Sequence, residues 1–364
     1  MVDGHPGAGM AINRDACQVV TFAPDGTQPR VLGTLGHVQG LAYDSVLPGG
    51  DDQLSLLLQV DPSYRSDALN PGRICRAYRN SDLPLWDGNL AEAQPSQDGW
   101  QVTATGRGVQ GADFQGYYAT WNLNDPINQA ITRGLRWKNA GSGITSGWLL
   151  QKPDVASFTI TDHMTNITSK QGLTWSVGRD GIVTVFPIPA VANRLLVCTD
   201  PVPRTLYADL TTVYLKYTSS DDGQGNTAYA TTVYFNQAAI NVHNAHETYV
   251  DLSDAGVMSA ATAQGVGKFL LSKYTRAAWS GSFAIRPGQL MTMGGAPVDP
   301  ATERAGNVYR LLVNDAPYGG EVNAGPIEFP GGQVDYDDDS GTSAVTPLQS
   351  YQTDIGSVLS NFSK

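Results

Sequence analysis

The sequence has little of what stabilises small secreted domains. Only three cysteines occur among 364 residues, Cys17, Cys75 and Cys198, and no CxxC pair is present. A disulfide scaffold or a zinc ribbon is therefore disfavoured, and we expect buried free thiols. No apolar run approaches the roughly 18 residues that a membrane-spanning helix requires, so we expect no membrane-spanning segment. The N-terminal residues lack the apolar core of a signal peptide, so we also expect no export signal.

Charged residues are also few, at 16% of the chain against about 25% in an average globular protein. Acidic residues (34) outnumber lysine and arginine (23), so the net charge is −11 and the isoelectric point is near 4.8. A chain this acidic lacks the basic surface with which proteins grip nucleic-acid phosphates or anionic membranes. We therefore expect neither as a stable partner.

Turn-forming residues are abundant instead. Glycine occurs 40 times and proline 21 times, and no G-X-Y period is present. This composition disfavours long helical bundles and collagen, and it favours many short strands joined by tight turns. At 364 residues the chain is long enough for two or three domains of about 150 residues. The sequence predicts a mainly β fold with minor α: two small β-barrel-like domains, an α+β insertion and one long helix.

We predict four segments along the chain. Residues 1–115 form a first β-barrel, residues 116–200 form an α+β middle domain, residues 201–330 form a second β-barrel, and residues 331–364 form an acidic C-terminal segment. The boundaries lie where the spacing of apolar residues changes from that of strands and turns to that of helices, and back again.

Helix and hairpin signals mark the later segments. Asp125-Pro126 is typical of a helix start. Leu173–Val177 and Ile182–Phe186 flank Gly178-Arg179-Asp180-Gly181, which indicates a β-hairpin. Apolar residues three and four apart predict the long helix over residues 259–276: Ala263, Val266, Leu270 and Tyr274.

One short internal repeat is present. Pro71-Gly72-Arg73-Ile74 and Pro287-Gly288-Gln289-Leu290 each precede a predicted strand. Proline followed by glycine is typical of a tight turn. Two similar turns would fit two related β-domains separated by an insertion.

Histidine, the side chain that most often serves in catalysis near neutral pH, is scarce. His243 and His246 are three residues apart, but the pattern is not HExxH, because Glu247 follows the second histidine. We interpret all five histidines as structural or loop residues: His5, His37, His163, His243 and His246.

Acidic residues cluster at 335–339 in a pattern similar to a calcium loop. The glycine, Gly341, comes one place late, and Thr346 stands where a bidentate glutamate is needed. We favour a solvated acidic loop, although the sequence leaves calcium binding open. Asp51-Asp52 and Asp221-Asp222 are likewise interpreted as turn residues beside glycine.

No catalytic, cofactor-binding or metal-ligating residue is predicted, and we expect no enzyme activity. A nucleophile elbow, a Walker loop and a Rossmann fingerprint are missing. Gly106–Gly111 has glycines at Rossmann spacing, but no helical pattern follows, so we predict a plain loop. A glycosidase needs only two facing carboxylates, and such a pair among 34 acidic residues would leave no sequence signal.

Tryptophan occurs seven times, and this large side chain more often fills the core of a β-domain than it stacks against a sugar. We therefore predict core positions for Trp86, Trp100, Trp121, Trp137, Trp148, Trp175 and Trp279.

The order of elements resembles the tail-tip, or baseplate, hub proteins of long-tailed bacteriophages, also called minor tail proteins. Residues 70–100 are similar to the family's first barrel, in which a proline-glycine turn leads to a basic strand, a W-x-G turn and a G-W strand: Asn70-Pro71-Gly72, Arg73–Tyr78, Trp86-Asp87-Gly88 and Asp98-Gly99-Trp100. Residues 173–185 resemble its middle hairpin, and residues 247–313 resemble its second barrel. The resemblance covers about residues 15–350 and rests on order and spacing.

This resemblance implies a structural virion protein. It implies a homotrimeric ring in which two barrel-like domains per subunit match the six-fold tail tube on one side and the three-fold tip on the other, around the DNA exit channel. The implied partners are the distal tail ring protein, the C-terminus of the tape-measure protein and other tail-tip or receptor-binding proteins. DNA is expected only as passing cargo, and the net charge of −11 adds the hypothesis of an acidic or neutral channel lining.

The implied location is the virion tail tip, after assembly in the host cytoplasm. Larger relatives carry a peptidoglycan-cleaving domain after the hub. The chain reaches residue 364 without room for one, so we expect no wall-hydrolysing role.

Two alternatives remain. One is a secreted β-rich carbohydrate-binding protein or glycoside hydrolase, which requires a monomer with an open aromatic groove. The other is the distal tail ring protein, which would be hexameric. The native mass distinguishes them from a trimeric hub.

Overall fold

The computed structural model describes residues 17–79, 81–116, 124–139, 159–170, 173–187, 191–198, 211–221, 226–243, 245–257, 259–274, 282–313, 316–317 and 328–348. The chain forms two compact units. The first contains residues 1–201 and 282–346, and the second contains residues 202–281 and 347–364. The first unit is therefore discontinuous in sequence, because the second is inserted into it.

The first unit begins with seven short strands: β1 (Gln18–Phe22), β2 (Arg30–Val31), β3 (His37–Val46), β4 (Gly49–Gln59), β5 (Ile74–Tyr78), β6 (Trp86–Ser96) and β7 (Gly99–Gly106). From β1 the antiparallel sheet continues through β5, β6, β7 and β4 to β3. Leu54, Leu56 and Leu58 are buried at alternate positions of β4, because successive side chains of a strand point to opposite faces. They pack with Trp86 in one core.

The middle of the chain extends this unit with α1 (Asn124–Thr132), β8 (Lys138–Asn139), α2 (Ile160–Lys170), β9 (Leu173–Val177), β10 (Ile182–Pro187) and β11 (Arg194–Cys198). The predicted hairpin is confirmed as β9 and β10. Ile160 and Met164, one helical turn apart on α2, share a core with Trp175. β9 also pairs in parallel with β4 at Gly50, where a Cβ atom would lie 2.6 Å from the carbonyl oxygen of Val177.

The second unit is a three-stranded sheet with two helices: β12 (Thr212–Asp221), β13 (Thr227–Phe235), α3 (Gln237–His243), β14 (Glu247–Val257) and α4 (Ala260–Tyr274). β12 lies in the centre, antiparallel to β13 and parallel to β14. The predicted long helix is confirmed as α4, and Ala263 and Leu271 are buried on it. The side chains of the other predicted stripe residues, Leu270 and Tyr274, lie outside the described part.

The chain then returns to the first unit with β15 (Phe283–Ile285), β16 (Leu290–Thr292), β17 (Val308–Val313), β18 (Ala316–Pro317), β19 (Glu328–Asp337) and β20 (Thr342–Pro347). β19 pairs with β3, and β17 lies parallel to β11. The sheet of the first unit is therefore assembled from strands on both sides of the insertion.

The mainly β fold with minor α is confirmed. The compact units have other boundaries than the four predicted segments, which stay a prediction. Residues 1–115 and 116–200 lie in one unit, and the described strands of residues 201–330 are divided between both.

The predicted turn at Asp51-Asp52 is wrong, and the predicted acidic loop at 335–339 is wrong in its first part, since only Asp338 and Asp339 lie in a turn. β4 begins at Gly49, so Asp51 lies in a strand and is only 3% exposed. Asp335 and Asp337 belong to β19 rather than to a solvated loop. In both cases tertiary partners override the local turn composition, because Arg304 neutralises Asp51 and β3 pairs with β19.

The two proline-glycine sequences form the same turn. The amide of Arg73 donates to the carbonyl of Asn70 (3.4 Å), and the amide of Gln289 donates to the carbonyl of Arg286 (3.0 Å). Gly72 and Gly288 have φ angles of +83° and +82°. Each turn thus has the positive φ at its third residue that a type II turn requires of glycine.

Candidate interaction surface

The second unit exposes one face of its sheet. α4 covers the opposite face, where Val213, Leu215 and Leu252 are buried. Large apolar side chains remain on the uncovered side: Tyr229 (57% exposed), Val233 (42%), Phe235 (61%) and Tyr249 (56%). Clusters of exposed apolar residues mark contact surfaces in soluble proteins.

Strand register places these side chains in adjacent rows. Tyr214 on β12 lies between Val233 on β13 and Tyr249 on β14. Residues directly opposite each other share one face of a sheet, at about 5 Å. We call this surface the open face, and it consists of Tyr214, Lys216, Tyr229, Thr231, Val233, Phe235, Tyr249 and Asp251.

The open face carries one charged pair. Nζ of Lys216 lies 3.0 Å from Oδ2 of Asp251 and 4.8 Å from the ring centroid of Tyr229. The hydrogen bond to Asp251 raises the pKa of Lys216, and hydrogen bonds from Ser253 lower the pKa of Asp251. Both groups are therefore charged at neutral pH, and their charges cancel within an otherwise apolar surface.

β13 forms an edge of this sheet. Its sequence, TAYATTVYF, contains no charged residue, no glycine and no proline. In the described chain, β13 pairs with β12 alone. Natural edge strands are usually protected by charge, proline or a cover, so this edge is suited to contact with another polypeptide.

The first unit contains a buried network of charged side chains. The carboxylate of Asp87, 1% exposed, accepts hydrogen bonds from Arg76 (2.7 Å), Arg107 (2.7 Å) and Arg136 (2.6 Å). The backbone amide of Asp87 donates to Asp51 at 3.0 Å. Because the three arginines come from three different parts of the chain, the network stabilises the fold rather than forming an accessible reactive group.

A second part of the network lies around Asp51 and Glu303. Arg304 contacts Asp51, and burial raises the pKa of Asp51 while Arg304 opposes that effect. Glu303 accepts hydrogen bonds from Arg194 (2.9 Å) and from the hydroxyl of Tyr309 (2.9 Å). These buried carboxylates are compensated by cations, as buried charges must be.

The histidines considered in the sequence analysis lie on separate elements. His163 is buried on α2, His37 is exposed on β3, and His246 is exposed before β14. His243 ends α3, and His5 lies outside the described residues. Within the described ranges, no group of three or more histidine, cysteine or acidic side chains is placed to hold a metal ion.

The acidic cluster at 335–339 binds donors of the protein itself. Asp337 accepts hydrogen bonds from the amide of Asp339 (3.0 Å) and from Ser340 (2.9 Å). Asp339 in turn accepts from the amide of Gly40 at 3.1 Å. These bonds are those of a hairpin turn between β19 and β20 that packs on the start of β3.

The tryptophan prediction agrees with the described residues, and the expected burial of the cysteines holds for two of the three. Trp86, Trp100, Trp137 and Trp175 are buried, whereas Trp121, Trp148 and Trp279 lie outside the described part. Cys17, Cys75 and Cys198 form no disulfide; Cys17 and Cys75 are buried, whereas Cys198 is half-buried. Burial raises the pKa of Cys75 to about 12, so this thiol is inert at neutral pH.

The predicted loop at 106–111 is mostly buried. Arg107 is 6% exposed, and its carbonyl accepts a hydrogen bond from Nε1 of Trp137 at 2.6 Å. A Cβ atom on Gly106 would lie 2.0 Å from the carbonyl oxygen of Asp51. These glycines allow close backbone packing rather than ligand binding.

Sequence reasoning missed the open face, although a signal was present. Tyr229, Val233 and Phe235 point outward, while Ala230 and Tyr234 on the same strand pack inward. A strand that is apolar at both odd and even positions is typical of burial on both faces. Such a strand in a small three-stranded sheet therefore indicates a missing partner.

No helix among the described residues is long and apolar enough to cross a membrane.

Comparison of the fold with solved structures finds phage tail proteins. The 43 kDa tail protein of prophage MuSo2 from Shewanella oneidensis has a TM-score of 0.60 at 10% identity, with 93% of this chain and 100% of that chain covered. The tail protein from Neisseria meningitidis MC58 has a TM-score of 0.57 at 14% identity and covers 91% and 95%. Prophage tail protein gp18 from Listeria monocytogenes EGD-e has a TM-score of 0.58 at 9% identity and covers 94% and 98%.

Sequence comparison alone detects none of this: no protein-family model and no curated protein matches the chain. At 9–14% identity, the likeness is one of fold. The resemblance to phage tail proteins expected from the order of elements is confirmed at that level, and the chain has the fold of prophage tail proteins.

Proposed function

We propose that the chain is a structural protein of a phage tail tip, a hub that forms a homotrimeric ring around the DNA exit channel and adapts the six-fold tail tube to the three-fold tip. The observation that carries the proposal is coverage in both directions: 93% of this chain aligns with 100% of the Shewanella tail protein. A likeness over nearly the whole of both chains concerns the complete architecture rather than one common module.

The proposed location is the virion tail, and the proposed neighbours are the distal tail ring protein, the tape-measure C-terminus and further tip proteins. A structural rather than catalytic role is supported by the use of the buried carboxylates. Asp51, Asp87 and Glu303 all bind arginines within the fold. Carboxylates held in this way stabilise the protein and are not free to act as general acids or bases.

The open face is the surface that we assign to contact between subunits. This face is only three strands wide, or about 15 Å. Its exposed apolar side chains are those of two tyrosines, Val233 and Phe235. A stable interface buries about 800 Å² per partner, so the open face supplies part of a contact that a second copy completes elsewhere. This use also protects the uncharged edge strand β13.

Native mass tests the proposal. We expect a trimer of about 116 kDa, three times the 38.8 kDa of the chain, in solution or in purified tails. Phe235→Glu and Tyr249→Glu should each shift the trimer toward monomer, because a carboxylate would be buried without a partner. Leu83→Glu is the matched control, since Leu83 is 61% exposed in the first unit. A hexamer would favour the distal ring, and a monomer both in solution and in tails would overturn the hub.

A carbohydrate-binding function is the second candidate, because the open face offers three tyrosines: Tyr214, Tyr229 and Tyr249. Aromatic rings on a flat sheet can stack against sugars, and Lys216 and Asp251 can hydrogen-bond hydroxyl groups. The two candidates differ in oligomeric state and in whether they bind carbohydrate. A monomer whose tyrosine fluorescence responds to bacterial surface polysaccharide, and loses that response in Tyr249→Ala, would favour this reading over the hub.

A further inference from the structure

Three aspartates lie on three neighbouring strands of the first unit. Asp335 on β19 is directly opposite Asp44 on β3 in the antiparallel register. Asp52 lies on β4, the strand on the other side of β3. All three side chains are half-buried. The contact between β3 and β19 therefore places carboxylates side by side where neither can be fully hydrated.

A bulge brings Asp52 close to Asp44. Tyr43 pairs with Leu54 and Ser45 pairs with Asp51, so two residues of β4 stand opposite the single residue Asp44. Such a bulge disrupts the ladder locally and redirects side chains. Here it also frees the amide of Gln53, which donates to Oδ1 of Asp44 at 2.6 Å.

One neutral side chain bridges the pair across the strands. Nε2 of Gln333 lies 2.7 Å from Oδ1 of Asp335 and 3.4 Å from Oδ2 of Asp44. The charged groups that act on Asp44 are Asp52 from β4 and Asp335 from β19, and both are acidic. No ion pair joins any of the three aspartates to a cation of the described chain.

Like charges directly opposite each other destabilise a strand pair. Burial, and then the charges of Asp52 and Asp335, raise the pKa of Asp44 to about 6, although the Gln53 amide opposes them. Burial and Asp335 also raise the pKa of Asp52. A carboxyl group whose pKa is higher in the folded state than in the unfolded state binds its proton more tightly when folded. The fold therefore gains stability as the pH falls through 6 toward 4 and loses it as the pH rises.

We propose that the contact between β3 and β19 is a pH-sensitive seam, which tightens in mildly acidic solution when Asp44 takes up a proton. Main-chain bonds hold the seam at any pH, including those from Leu47 to Gly332 (2.8 Å) and from Asp338 to Leu41 (2.9 Å). Neutral pH thus weakens the seam without separating it. The property belongs to the first unit alone and does not depend on the proposed function or on assembly.

Hydrogen exchange of residues 328–337 in the full-length protein tests the proposal, with rates corrected for the intrinsic effect of pH. We expect protection to rise by up to about tenfold from pH 7.5 to pH 5, the ratio that a pKa near 6 allows. In Asp44→Asn, which mimics the neutral side chain and keeps an acceptor for Gln53, protection should be high and nearly equal at both pH values. Asp98→Asn, in the exposed turn between β6 and β7, should behave like the wild type.

Two results would overturn the seam: equal protection of wild-type β19 at both pH values, or an Asp44→Asn protein that keeps the wild-type pH dependence. Asp335→Asn provides a second variant should Asp44→Asn fail to fold. It removes one of the two repelling neighbours and should reduce the pH effect without abolishing it. An Asp335→Asn protein with a larger pH effect than the wild type would also contradict the proposal.

Discussion

Nη2 of Arg136 lies 2.6 Å from Oδ1 of Asp87, although 49 residues separate the two in sequence. The same arginine donates to the carbonyl of Gly88 at 2.9 Å. The bond joins the β strands of the first hundred residues to the segment that contains α1 and α2. Together with the pairing of β4 and β9, it joins these two parts into one compact unit.

Removing the charge of Asp87 should destabilise the first unit strongly. Asp87→Asn keeps the shape but leaves Arg76, Arg107 and Arg136 without their counter-charge. Breaking a buried ion pair in this way costs about 3–5 kcal/mol, and the partial exposure of Arg76 (14%) and Arg136 (18%) places the expected loss near the lower end. Urea unfolding followed by tryptophan fluorescence measures it. Asp98→Asn should change the free energy of unfolding by less than about 0.5 kcal/mol, and a similar small effect at Asp87 would contradict the network.

The two proline-glycine turns should respond alike to substitution. Gly72→Ala and Gly288→Ala each place a Cβ atom on a backbone with positive φ, and no atom lies within 4 Å to clash with it. The cost is therefore conformational alone, about 1–2 kcal/mol in each case. Gly33→Ala is the control, because Gly33 has equal space without a positive φ. Thermal unfolding measures the melting temperatures of the three variants. The equivalence would be refuted if Gly72→Ala and Gly288→Ala differed in melting temperature by more than Gly72→Ala and Gly33→Ala do.

Gly267 allows α4 to pack against β13. A Cβ atom there would lie 2.1 Å from Cδ2 of Tyr234. Alanine favours helix by about 1 kcal/mol, but overpacking costs about 1–3 kcal/mol. We expect Gly267→Ala to lower the stability of the second unit, measured as hydrogen exchange of residues 247–257. Gln264→Ala, at an exposed position of the same helix, should leave exchange unchanged or slow it. Slower exchange in Gly267→Ala would mean that the helix propensity of alanine outweighs the steric clash with Tyr234.

Two buried tryptophans should differ in their tolerance of phenylalanine. Trp137 and Trp175 pack with ring centroids 5.3 Å apart. Nε1 of Trp137 donates to the buried carbonyl of Arg107, whereas Nε1 of Trp175 donates to the half-buried hydroxyl of Thr165. Trp137→Phe leaves a buried acceptor unsatisfied, at about 1–3 kcal/mol, while water can satisfy Thr165 in Trp175→Phe. We expect a lower urea midpoint for Trp137→Phe than for Trp175→Phe. The reverse order would contradict this assignment of the two hydrogen bonds.

Local patterns predicted much of the fold. Turn chemistry located the hairpin at Gly178–Gly181, and apolar spacing located α4 to within two residues at each end. Both features depend on residues close in sequence. The burial of Asp51 could not be predicted in this way, because its cation, Arg304, is 253 residues away. Composition at residues 47–52 is that of a turn, and the groups that compensate a buried Asp51, the Arg304 guanidinium and the Asp87 amide, are both distant in sequence.

The open face was not predicted from the sequence, because its exposure also depends on distant parts of the structure. The outward side chains of β13 look the same in sequence as those of a strand buried on both faces. The residues of β13 indicate a strand covered on both faces, but its exposure depends on what covers the sheet, which only the three-stranded fold shows. The resemblance to tail proteins was recognisable because order and spacing survive where identity has fallen to 10%.

The discontinuity of the first unit has a consequence for modularity. β11 and β17 are parallel neighbours, and the amide of Val197 donates to the carbonyl of Gln289 at 2.9 Å. The sheet thus closes across the point where the polypeptide departs and returns. An inserted module attached in this manner can be exchanged, enlarged or deleted during evolution while the scaffold around it persists. We therefore expect chains that share the scaffold to differ most in the region that corresponds to residues 202–281.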